Sequence, residues 1–219
     1  MINRVDLFIF YDDTAYTKQN WRNRNRIKAP TGLRWLTVPV GKVPMGTEID
    51  RVRIATPAWQ REHLNLLATA YGKTEYFREY ESLLEQIYAK REWSSLSELN
   101  QSTTKLIAEY LGSDTEFVDS RELAATGRKD ERLIDILKRV SATHYLSGGA
   151  AKAYIDEHRF RRANIGLEYM KYEYPEYAQS HGRFEHGVSI LDVLFHCGPN
   201  SREYVFTDGA EVAVEPALA

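Results

Sequence analysis

From Thr56 to Gly112 the apolar residues recur at helical spacing three times in succession. Trp59, His63, Leu66, Leu67 and Ala70 share one face. Tyr76, Phe77, Tyr80, Leu83, Leu84, Ile87 and Tyr88 form a second stripe, and Leu96, Leu99, Thr103, Leu106, Ile107 and Tyr110 a third. Thr56-Pro57 supplies an N-cap and a first-turn proline, while Gly72 and Gly112 supply stops. Consecutive helices over 57–111 rule out strict strand–helix alternation there and require a helical segment inside whatever sheet the rest of the chain builds.

The flanks carry strand patterns. Val5 to Phe10 is a short apolar run, read as a buried strand, and it delivers Asp12 and Asp13 at its C-terminal end. In open α/β sheets that end is where ligands bind; capping of the next turn is the plainer reading of these acids. Arg22, Arg24, Arg26 and Lys28 then alternate. In an extended segment they point to one side, as a ladder for phosphate or carboxylate or as a solvated edge that blocks mispairing. Ala29-Pro30-Thr31-Gly32 is a turn, Arg34 to Val40 a second strand, and Arg51 to Ala55 a third.

After Gly112 the alternation predicts a strand at 115–118, a helix at 129–140, a strand at 143–147, a helix from Gly148 through Ile155 and a strand at 166–174. The turn at Ser147, Gly148 and Gly149 would expose backbone N–H groups to an anion, if not simply joining strand to helix. Ser189 to Phe195 reads as an apolar helix stopped by Gly198-Pro199, with Asp192 among apolar neighbours and so in need of a partner. His196 and Cys197 are sequence neighbours on a helix and do not face each other, which argues against a Cys–His pair. Tyr204 to Phe206 and Val212 to Val214, joined at Asp208-Gly209, read as a hairpin or a loose tail. The expected fold is α/β: a mixed, mostly parallel sheet flanked by helices, in one domain over 1–200 with an extension at 201–219.

Composition excludes several classes. A net charge of -2 gives no global field for nucleic acid. No apolar run approaches the ~20 residues of a membrane helix, and the N-terminus lacks a signal-peptide pattern, so the cytoplasm is the expected location. One cysteine cannot form an internal disulfide, and the six histidines show no metal-ligand spacing. No metal site is expected, and nothing names a cofactor.

Several segments carry a family resemblance: Phe8-Ile9-Phe10-Tyr11-Asp12-Asp13, Lys18 to Lys28, Trp35 to Val40, His63-Leu64, Ala70-Tyr71-Gly72, Thr143 to Gly148, and Ser189 to Asp192 with Leu194-Phe195 and Cys197-Gly198-Pro199. In this order they resemble the WbqC-like family of bacterial proteins, from about residue 5 to 200. Family members usually open with a further strand and a His-Gln-Pro-x-Tyr-x-Pro-Trp loop, which this chain lacks; it reads either as truncated or as a member that works without that loop.

The resemblance implies an enzyme of O-antigen-type surface-polysaccharide (lipopolysaccharide) biosynthesis that moves glycine or another small acyl group onto a nucleotide-linked or lipid-linked sugar. The catalytic candidates are Asp12, Asp13 and Lys18, on the polar stretch between the first two strands, and Asp192, the carboxylate in the apolar helix. As the outer atoms of a strand alternate, at most one of Asp12 and Asp13 faces a site. Asn20, Arg22, Asn23, Arg24, Lys28, Trp35, His63, Ser147, Gly148 and Gly149 are the binding candidates; His63, on its apolar stripe, reads first as a core histidine. The alternative is a non-catalytic module, either a scaffold or a binder of single-stranded nucleic acid through Trp21, Trp35 and the cations.

Overall fold

The computed structural model describes residues 1–18, 20–206 and 209–216, apart from the side chain of Ala210. In chain order the elements are β1 (Leu7–Phe10), β2 (Arg24–Ala29), β3 (Gly32–Thr37), α1 (Ala58–Tyr71), α2 (Glu81–Tyr88), α3 (Leu96–Tyr110), β4 (Glu116–Asp119), α4 (Asp130–Arg139), β5 (His144–Gly148), α5 (Glu157–Ala163), β6 (Gly166–Met170), α6 (Ile190–Cys197), α7 (Ser201–Val205) and β7 (Ala210–Val214). The chain is α/β, with parallel and antiparallel strand pairs. It divides into two compact units: residues 1–11, 113–173 and 206–219 form the first, and residues 12–112 and 174–205 the second.

In the first unit β1 pairs in parallel with β4, from Leu7 opposite Glu116 to Phe10 opposite Asp119. β5 pairs in parallel with β6, and β7 adds antiparallel to the other edge of β6. Leu137 of α4, Phe160 of α5, Leu167 and Tyr169 of β6 and Val214 of β7 form the core. The helix expected from Gly148 to Ile155 is instead a 3-10 turn, Gly149–Ala153. The reason is local: the Asp156 carboxylate accepts the N–H of His158 and starts α5 afresh, so the preceding turn cannot run on. The expected hairpin at 204–214 is also absent. Residues 201–205 are helical, and β7 takes the open edge of β6 rather than a neighbour in sequence. Asp208 lies outside the described residues.

The second unit holds the helical block. α1 ends at Gly72; the Ser95 hydroxyl caps α3 by accepting the N–H of Glu98, and Gly112 stops it at a positive φ of 65°. The expected strand at 51–55 reduces to isolated bridges, Val40–Ile54 and Arg53–Ser95. Its alternation was that of burial, with Val52 packed against Val43 and Leu96, but β3 ends at Thr37 and leaves it no ladder to join.

β2 and β3 form an antiparallel hairpin about Pro30-Thr31, with Arg26 opposite Trp35. α1 packs on β2. α6 is capped by the Ser189 hydroxyl and stopped at Gly198, where a Cβ would meet the Tyr76 ring. Its Phe195 has no exposed surface and packs 5.2 Å from the Tyr71 ring and 5.0 Å from that of Phe77, centroid to centroid.

Candidate functional site

Alternation along β2 sends Ile27 into the core, at 0% exposure, and puts Arg24, Arg26 and Lys28 on the other face. Arg24 lies over the Trp35 ring, 4.2 Å from its centroid. Arg26 stands 5.5 Å from Trp21 and 5.7 Å from Trp35, and the two indoles are 5.4 Å apart. Cation–π attraction fixes the arginines against rings that stay open to solvent, 58% for Trp21 and 44% for Trp35. Arg22 is not a rung of this ladder, because it precedes the strand. Its carbonyl accepts from Asn100 Nδ2, and its guanidinium acts on Tyr16. Burial raises the Tyr16 phenol above its ordinary pKa, while Arg22 and Arg24 pull it down.

Asp12 is held from α3. Its Oδ2 accepts from Ser97 Oγ at 2.6 Å and from Gln101 Nε2 at 3.1 Å, two residues one helical turn apart. Asn100 and Gln101 thus tie Arg22 and Asp12 to adjacent positions of one helix. Asp13 is half-buried beside Asp12, and Lys18 is exposed. Asn20 and Asn23 shape the loop: Asn20 Oδ1 accepts the N–H of Trp21, and Asn23 Nδ2 donates to the Val38 carbonyl. His63 sits edge-to-face between Trp59 and Tyr88, with burial pushing its pKa down to about 4 against a backbone hydrogen bond at Thr37. It is a neutral packing residue.

A second cluster surrounds Asp192, which has no exposed surface. Its carboxylate accepts from Tyr71 Oη at 2.7 Å, Tyr177 Oη at 2.7 Å and Gln179 Nε2 at 2.8 Å. Burial opposes ionisation, but these donors and His196 outweigh it and hold the Asp192 pKa below the usual carboxylate range. Burial and the Asp192 charge push both phenols far above their ordinary value. His196 Nδ1 lies 2.7 Å from the Asp192 carbonyl and 3.4 Å from Oδ1. Burial alone would lower its pKa, but the bonds to Asp192 raise it.

Lys28 donates its ammonium to Gln179 Oε1 and to the carbonyls of Gly182 and Arg183. Three donors meeting three acceptors make it a clamp on the 179–183 turn rather than an open anion site. Burial drives the Cys197 thiol up to about 11, which leaves it protonated at neutral pH. Tyr71, Tyr177, Gln179, Ser180 and His196 are members of this cluster that sequence reasoning missed. The one available signal was Asp192 itself, a carboxylate in an apolar helix that had to find donors.

Ser147, Gly148 and Gly149 belong to the first unit. Ser147 is buried, Gly148 ends β5 and Gly149 opens the 3-10 turn, so the helix N-terminus expected to bind an anion is not formed. A cleft of about 450 Å³ in that unit is lined by Leu7, Phe8 and Ile9 of β1, Leu133 and Ile136 of α4 and Tyr145 of β5. It gathers none of the expected site residues. Among the described residues no group of His, Cys, Asp and Glu is placed to hold a metal, and no helix is long and apolar enough to cross a membrane.

No solved structure matches this chain. It is 38% identical over 207 residues to a Mycobacterium tuberculosis (strain ATCC 25618 / H37Rv) protein that bears the name Uncharacterized protein Rv1507c, covering 94% of this chain and 90% of that one. The profile of the WbqC-like protein family matches residues 1–204. The ordered segments around Asp12, Arg24, Trp35 and Asp192 thus sit within a match that spans nearly the whole polypeptide, and the chain belongs to the WbqC-like protein family.

Proposed function

We propose that this protein is an enzyme of bacterial surface-polysaccharide assembly that transfers a small acyl group, such as glycyl, onto an activated sugar. The observation that carries the proposal is the face on which Arg24 stacks on Trp35 beside Trp21 and Arg26. Guanidinium groups held on open indoles suit a ligand with both an anion and a flat or ring-shaped body, as a sugar nucleotide has. Arg22 and Arg24 bind the phosphates, Trp35 takes the ring, and Asp12, oriented by Ser97 and Gln101, accepts a hydrogen bond from the sugar amine or hydroxyl and aims it for attack. Lys18, exposed on the same loop, holds a carboxylate of the ligand or donates a proton.

The test is a titration with uridine diphosphate sugars read by tryptophan fluorescence, alongside a sugar-acylation assay. Arg24→Ala is expected to weaken binding about tenfold, the loss of roughly one charge-assisted hydrogen bond. Asp12→Asn is expected to bind normally and lose turnover. Unchanged binding in the first variant and unchanged turnover in the second reject these roles. The openness of Trp21 also suits a non-catalytic binding module. That reading requires binding without turnover in the intact protein.

A further inference from the structure

Ser180, His196 and Asp192 form a hydrogen-bonded chain. Ser180 Oγ is 2.9 Å from His196 Nε2, and the opposite ring nitrogen, Nδ1, is 2.7 Å from the Asp192 carbonyl. The tautomer follows from the backbone. The N–H of Ser180 points at Nε2 from 3.0 Å and can only donate, so Nε2 carries the lone pair. Nδ1 therefore carries the hydrogen and gives it to Asp192. The Ser180 hydroxyl shares that lone pair with the backbone N–H, and a serine hydroxyl bonded to a ring nitrogen whose ring is oriented from behind by a third group is the arrangement that activates an oxygen nucleophile.

The surroundings add a separate observation. The His196 side chain is 8% exposed and that of Asp192 0%, whereas Ser180 is only half-buried, so the base is more shielded than the residue that carries the hydroxyl. His181, next in the chain, has a φ of 65°, a left-handed conformation unusual for a non-glycine residue, and Gly182 follows at 96°. Such strain persists where surrounding contacts over-determine it, and it clusters at functional sites. The contacts here are the Lys28 clamp on Gly182 and Arg183, the Gln179 bonds to Asp192 and Glu185, and His181 Nε2 at 2.8 Å from the Ala70 carbonyl.

We infer that Ser180 is a nucleophile that carries the acyl group, with His196 as its base and Asp192 as the residue that holds the ring. Ser180 Oγ attacks the carbonyl carbon of a thioester donor. The new C–O bond forms as the hydroxyl proton passes to Nε2; the C–S bond breaks, and the departing sulfur takes that proton. In the second half the acceptor amine or hydroxyl attacks the same carbon and gives its proton to Nε2. The C–O bond to Ser180 breaks, and Oγ recovers the proton. No oxidant or reductant enters. The second half rests on the acyl-transfer reading above; the first half does not.

The experiment incubates the purified full chain with p-nitrophenyl acetate and, separately, with a fluorophosphonate, and locates the modified residue by peptide mass spectrometry. Ser180 is expected to carry the label, and Ser180→Ala to lose it. His196→Gln should slow labelling on the order of 100-fold, the size of a general-base contribution. Ser180→Cys keeps a nucleophile against the same ring and should still be acylated. Should His196→Gln fail to fold, the wild type, Ser180→Ala and Ser180→Cys decide the matter between them. An unmodified Ser180, or equal rates in a folded His196→Gln, overturns the inference. No sugar is present, so failure here leaves the Arg24–Trp35 face standing, and failure of sugar binding leaves Ser180 standing.

Discussion

A carboxylate at position 192 is surrounded in sequence by Leu191, Val193, Leu194 and Phe195, all buried. Burying such a charge unpaired would cost several kcal/mol, roughly the penalty that removal of a partner from a buried pair exposes. Here Tyr71, Tyr177 and Gln179 donate to it, so the charge is retained and its pKa is lowered. Asp192→Ala, which strands those donors, should destabilise the protein by about 3 kcal/mol, read as a lower denaturant midpoint. The pH dependence has a definite sign. A folded-state pKa below the unfolded value of about 3.9 gives stability that is present above that value and is lost as pH falls through the folded one. Asp192→Asn, which cannot titrate, should therefore flatten the melting temperature against pH on the acid side, from about pH 5 downward. Parallel curves for the wild type and the variant would remove Asp192 from the account of acid unfolding.

At the scale of elements, burial rather than chemistry decides which substitutions matter to stability. Phe195 of α6 is wholly buried against Tyr71, Phe77 and Tyr80, so Phe195→Ala should cost about 4 kcal/mol. Trp21 is 58% exposed, and Trp21→Ala should cost only about 0.5 kcal/mol, the worth of an exposed cation–π contact. Chemical denaturation of both variants checks the contrast, and equal losses would contradict it. The same division governs what the sequence disclosed. Helix punctuation is local chemistry, so Thr56-Pro57 and the Gly72, Gly112 and Gly198 stops were readable in advance. Strand alternation was enough to place Arg24, Arg26 and Lys28 on one face once the segment is extended, though it also counted Arg22, which precedes the strand; the register that sets Trp35 opposite Arg26 comes from the structure. Pairing between distant segments was not readable. β7 joins β6, Asp12 is gripped by α3, and Tyr71 meets Asp192 across 121 positions of sequence. No periodicity in one segment encodes which remote segment will supply its donors.

The whole molecule makes that non-locality structural, because each compact unit is assembled from separated stretches of chain. The second unit draws its hairpin and helical block from residues 12–112 and its closing segment from 174–205. The closing segment supplies Phe195 to the aromatic cluster, Asp192 to Tyr71, and the carbonyls that receive the Lys28 ammonium. Residues 12–112 alone would keep the Tyr71 hydroxyl and the Lys28 ammonium in a half-built interior without acceptors, beside apolar rings left in water. Both losses act in the same direction, so that fragment should show no cooperative thermal transition, while mixing it with a peptide of residues 174–205 should restore one whose midpoint rises with peptide concentration. Circular dichroism melts of fragment, peptide and mixture decide it. A fragment that melted cooperatively on its own, near the midpoint of the intact chain, would mean that the helical block carries the second unit's stability without α6, and that the Asp192 network is an addition to a finished core rather than its keystone.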